Sequence, residues 1–100
     1  MRISERQHTI IKDSVREAFG SHSRVLLFGS RVDDNRKGGD IDLLVCSTLS
    51  GVHAAESKIK ALTRMMRFMG DRKIDLITTS MDEQDERVVV REALEKGIEL

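Results

Sequence analysis

One hundred residues suffice for a single domain around one modest core. With 39% hydrophobic residues and a formal net charge of zero, the chain falls outside the disordered class, and its balanced charge argues against nucleic acid as a general partner. The lone cysteine, Cys46, excludes an internal disulfide and any zinc site built on several cysteines.

The N-terminal stretch carries no hydrophobic signal core, and no apolar run approaches the roughly 20 residues that span a bilayer. A cytoplasmic protein with no membrane association is therefore expected. One domain should occupy residues 1–100, with no linker, repeat or low-complexity tract.

A first helix is expected from Ser4 to Phe19. Ser4 and Gln7 have capping-box spacing, Ile11, Val15, Ala18 and Phe19 form an apolar stripe, and Gly20 supplies the stop. "RVLLF", Arg24 to Phe28, reads as a short buried strand. Gly29-Ser30-Arg31 follows it directly and is expected to begin a short helix. "DIDLLV", Asp40 to Val45, reads as the second strand.

A long helix should run from Ser50 to Met69. Val52, Ala55, Ile59, Leu62, Met66 and Met69 alternate steps of three and four, which predicts a core-facing stripe ending at Gly70. "KIDLIT", Lys73 to Thr78, is the third strand. Ser80 and Glu83 offer a second capping box for a last helix reaching Lys96. The whole pattern predicts an α+β fold: a small mixed sheet in a two-layer arrangement with helices packed on it.

Side chains two apart on a strand share a face. Asp40 and Asp42 should thus project together, while Ile41, Leu43 and Val45 enter the core. Neighbouring carboxylates near a sheet repel one another and lose solvation, a cost that a bound cation relieves. Hard divalent cations prefer such oxygen ligands. Asp75, flanked by Ile74 and Leu76, can join the cluster if its strand lies beside the second. Gly29 lets the backbone approach a phosphate, and a helix starting there would offer free N–H groups to an anion.

"FGSRVDDNRKGGDIDLLV" resembles the signature of the DNA polymerase β-like nucleotidyltransferase superfamily: Gly-Ser, a short interval, Asp-x-Asp, then a later single Asp on a strand. The similarity is closest to its minimal nucleotidyltransferase group. The resemblance implies a nucleotidyltransferase fold in which Gly29 and Ser30 hold the β- and γ-phosphates of an NTP. It implies that Asp40 and Asp42 bind two Mg²⁺ ions and that Asp75 completes the site facing the acceptor hydroxyl. The implied product is a nucleotidylated, often adenylylated, acceptor. The chain departs from the pattern in carrying "RVDDNRKGG" where many relatives have Ala-Arg-Gly after Gly-Ser-x and a Ser before the first Asp. Arg31, Arg36 and Lys37 are candidate phosphate contacts in that segment.

A chain this short holds a catalytic layer and little to bind an acceptor. The resemblance implies a helical HEPN-type toxin as protein partner, with this chain as the antitoxin that adenylylates it. The alternatives are a non-catalytic module neutralising a partner by contact, and a transferase acting on aminoglycosides or RNA.

His8, His22 and His53 lack ligand spacing. Cys46 reads as a buried structural thiol. Lys58, Lys60, Arg64, Arg67, Arg72 and Lys73 read as a solvated basic face. Val88, Val89, Val90 and Leu94 exceed what one sheet face needs, which predicts a homo-oligomeric or heteromeric assembly.

Overall fold

The computed structural model describes residues 3–29, 40–70 and 72–100. In chain order the elements are α1 (Glu5–Phe19), β1 (Arg24–Phe28), β2 (Ile41–Ser47), α2 (Gly51–Met69), β3 (Ile74–Ser80), α3 (Val88–Lys96) and β4 (Ile98–Glu99). The strands form one mixed sheet in the order β3-β2-β1-β4. β1 runs antiparallel to β2 and to β4, whereas β2 and β3 are parallel and joined through α2. This is the expected α+β class.

Local chemistry sets the helix ends. The Ser4 hydroxyl accepts from the Gln7 amide at 3.0 Å, and the Gln7 side chain accepts from the Ser4 amide at 2.9 Å, a reciprocal cap that fixes the start of α1. Gly20 and Gly70, both at positive φ, close α1 and α2 by donating to Arg16 and Met66 carbonyls.

Alternation along β1 and β2 divides the core between the two sheet faces. Val25, Leu27, Ile41, Leu43 and Val45 point to one face and pack under α1 and α2. Leu26, Leu44 and Cys46 point to the other and meet Val90 and Ala93 of α3. α3 thus adds cover on the face opposite the two long helices. Cys46 is buried, as expected of a structural thiol, and burial pushes its pKa up.

Three expectations need correction. Of the expected stripe only Leu62 and Met69 pack against the core; Ala55 is exposed, Val52, Ile59 and Met66 are 69%, 65% and 57% exposed, and α2 instead buries Ala54, Ser57, Ala61 and Met65. Small side chains let the helix axis approach the sheet closely, and α1 already supplies the bulk that fills this layer. The last helix starts at Val88, not at Ser80. β3 continues through Ser80, whose hydroxyl accepts from the Asp82 amide at 3.3 Å in a turn. Arg64 also leaves the expected solvated face. Its guanidinium donates to the buried Ser14 hydroxyl at 3.0 Å, pairs with Glu17 at 3.0 Å and stacks 4.9 Å from the Phe68 ring centre, tying α2 to α1.

Candidate functional site

Three chain segments converge at one end of the sheet: the exit of β1, the entry of β2 and the entry of β3. In the register Phe28 pairs with Asp42, and Asp42 with Asp75. Ile41, Leu43 and Leu76 all pack in the layer beneath α1 and α2. Strand alternation therefore sends Asp42 and Asp75 to the other face, the one that carries α3. Asp40 precedes β2 and lies level with Lys73, since Ile41 and Ile74 are partners.

The electrostatics follow from this crowding. Asp42 has its pKa raised, first by loss of solvent, then by the charges of Asp75 and Asp40 and a hydrogen bond shared with the Asp75 carboxyl. Lys73 offsets part of this. Its ammonium also pairs with Asp40 at 3.5 Å, between side chains that are both well exposed. Asp75 is the most open of the three acids.

Gly29 completes the described part of the site. Its φ is +76°, a region L side chains rarely adopt. A Cβ there would fall on Asp42 Oδ2 and lie 3.2 Å from Asp42 Cγ. A glycine is required at this position both by its backbone and by the carboxylate over it. Beside the pair opens a groove of about 590 Å³, whose walls include Phe28, Asp42, Asp75, Ile77 and Val89.

Gly29, Asp40, Asp42 and Asp75 are thus brought to one place. Ser30 and Arg31 lie outside the described residues, as do Arg36, Lys37, Gly38, Gly39 and the short helix expected after Gly29. Lys73 is the member that sequence reasoning passed over as part of a basic face. Its signal was its place two before Asp75, which a parallel register sets beside Asp40.

The donor chemistry suits a hard divalent cation: adjacent carboxylate oxygens whose mutual repulsion a cation would relieve. Among the described residues no three carboxylate, imidazole or thiol side chains already stand as a closed metal-binding group. Asp42 and Asp75 form the close pair, and Asp40 is engaged with Lys73 at its edge. No helix among the described residues is long and apolar enough to cross a membrane. No protein-family model matches the chain, and no curated protein sequence matches it.

Proposed function

We propose that the chain is a Mg²⁺-dependent nucleotidyltransferase that moves a nucleoside monophosphate, AMP in the first instance, from an NTP to a hydroxyl acceptor on a partner protein. The observation that carries this reading is the register pairing of Asp42 with Asp75 on one sheet face, with Gly29 pressed against Asp42. In this reading Asp40, Asp42 and Asp75 hold the divalent ions, which neutralise charge building on the phosphates when bound. Gly29 leaves room for the Asp42 carboxylate to lie against the end of β1. Asp75, open to solvent, accepts the proton of the incoming hydroxyl. The acceptor oxygen bonds to the α-phosphorus, the α–β anhydride breaks and pyrophosphate leaves. Most of the rate gain comes from positioning and electrostatics.

A HEPN-type helical toxin is the partner suggested by the family resemblance, which makes this chain an antitoxin. The test is transfer from α-labelled ATP in the presence of Mg²⁺ to a protein acceptor co-expressed with the chain. Asp42→Asn is expected to abolish labelling while circular dichroism shows an intact fold. Full labelling by that variant would overturn the assignment.

A second reading, neutralisation of a partner by contact alone, draws on Val88 and Leu94 of α3, which are 76% and 50% exposed. A variant with Asp40, Asp42 and Asp75 all changed to Asn separates the two. Loss of protection against the partner supports chemistry, and retained protection supports contact.

A further inference from the structure

A second groove, of about 540 Å³, runs between α1 and α2 and shares no residue with the one beside Asp42 and Asp75. Ser14 of α1, without solvent exposure, lies at its floor. Lys60, Arg64 and Arg67 follow one another along α2 at steps of four and three, so they line one edge of the helix. Arg64 is fixed there by its bond to Ser14, its pairing with Glu17 and its stacking on the Phe68 ring. A guanidinium has five N–H donors, and these contacts leave some of them unspent. Lys60 and Arg67, both exposed, stand one turn to either side. Among the described residues Glu17 is the only carboxylate in the lining, and Arg64 already matches it, so three cations meet one acid. Thr63 adds no donor, because its hydroxyl donates to the Ile59 carbonyl at 2.8 Å. Apolar surface marks the two ends: Ile59 is 65% exposed and Phe68 43%. Their places in the helix set them about 13–14 Å apart along its axis.

We infer that this groove docks an amphipathic helix of a partner protein, one whose apolar stripe is flanked by carboxylates. A trough between two packed helices takes the side-chain ridge of a third. A helix of about three turns spans the distance from Ile59 to Phe68. Its apolar side chains cover those two residues and Ala18, and its carboxylates reach the cationic edge. The excess of cations selects the charge of the occupant, since a basic helix would set like charges together where no acid is left to spare. Nucleic acid fits less well. A phosphodiester backbone has nothing to place on Ile59, and Phe68, the one aromatic side chain in the described lining, already stacks with Arg64. α1 and α2 cover the sheet face opposite Asp42 and Asp75, so a partner seated here leaves the acidic pair open.

The probe is a labelled synthetic helix of about 15 residues, with leucine at alternating steps of three and four and glutamate along both flanks, and a twin that carries lysine for every glutamate. Fluorescence anisotropy on the full chain is expected to show binding of the glutamate helix that weakens as salt rises, and about tenfold weaker binding of the lysine twin. Lys60→Glu combined with Arg67→Glu should reverse that preference, with the fold unchanged by circular dichroism because both side chains are exposed. Ile59→Ala should weaken the glutamate helix, which a purely ionic contact would not show. Equal binding of the two helices, no binding of either up to 1 mM, or a preference that the double exchange leaves in place overturns the inference. So does displacement of the glutamate helix by inorganic phosphate beyond what sodium chloride of equal ionic strength achieves, which would mark a small-anion site. Tighter binding of a single-stranded RNA 12-mer would overturn it as well. None of these measurements needs an NTP or a divalent cation, so none depends on the transferase reading.

Discussion

Gly29 is where backbone and chemistry meet most tightly. A methyl group there would need a left-handed backbone, which costs about 1–2 kcal/mol for an L residue, and would also collide with Asp42. Gly29→Ala is therefore expected to lower stability by at least that amount in urea titration and to abolish the nucleotidyl transfer proposed above. Asp42 itself should behave in the opposite way. Its folded pKa is raised above the ordinary value near 3.8, so the folded state holds the proton more tightly than the unfolded chain. Stability is fullest below the unfolded value and declines as pH rises through the folded one. Without divalent cation, Asp42→Asn should thus raise the melting midpoint at pH 7, and the gain should vanish near pH 4. An equal gain at both pH values would show that charge is not the cause. Both residues were legible in the sequence, because an acid at alternate positions of an apolar strand and a glycine after a strand each break a rule of burial. Lys73 was harder to read, since its place two before Asp75 seats it beside Asp40 only once the parallel register of β2 and β3 is known.

The helices differ in how well their patterns declared their faces. α1 was the most readable: its cap and stop agree, and Ile11, Val15 and Phe19 of its stripe are buried, while the buried Ser14 gave no apolar signal. α2 was readable in extent but not in orientation. Periodicity measures apolar side chains, and here Val52, Ile59 and Met66 lie outside while two alanines and a serine join Met65 on the buried side. Close packing favours small groups where a helix must approach strands, and composition alone does not tell such a face from a bland one. A pair of substitutions exposes the difference. Ala61→Leu, at a site with no solvent exposure, should cost about 1–3 kcal/mol through overpacking. Ile59→Ala should leave monomer stability within about 0.5 kcal/mol. Equal effects in thermal unfolding would contradict the observed orientation. α3 was misplaced because Ser80 and Glu83 have the spacing of a cap, yet the chain there spends its polar groups otherwise. Arg87 donates to the Thr78 carbonyl at 2.6 Å and to Asp85 at 2.7 Å, and Thr79 donates to Asp85 at 2.9 Å. These bonds hold residues 81–87 against the end of β3, and the guanidinium covers a carbonyl of this edge strand. They also hold the Asp85 carboxyl well below the usual carboxylate range.

Across the whole molecule the two sides of the sheet are unequal. One side is roofed by α1 and α2, which share a layer containing Ile11, Leu27, Ile41, Leu43 and Met65, all without solvent exposure. Among the described residues the other has α3 alone, nine residues long, with no side-chain cap at its start and with Val90 and Ala93 as its buried anchors. The acidic pair sits on this thinner side, where a groove remains open beside Val89. A fold of this size can give up cover on one face only because the opposite layer carries most of the apolar burial. The inequality has a kinetic consequence. Local opening free energy scales with the contacts that must be broken, so α3 should open well before the sheet does. Amide hydrogen exchange is expected to show the α3 amides Arg91–Lys96 exchanging through a low-energy local opening, while β1 and β2 exchange at the global rate. Truncating Leu43 to Ala should lower the global limit by about 2–5 kcal/mol and leave the α3 rates nearly unchanged until the two converge. Protection in α3 equal to that in β2 would show that α3 does not open ahead of the sheet, even though the groove beside it stands open to solvent in the folded chain.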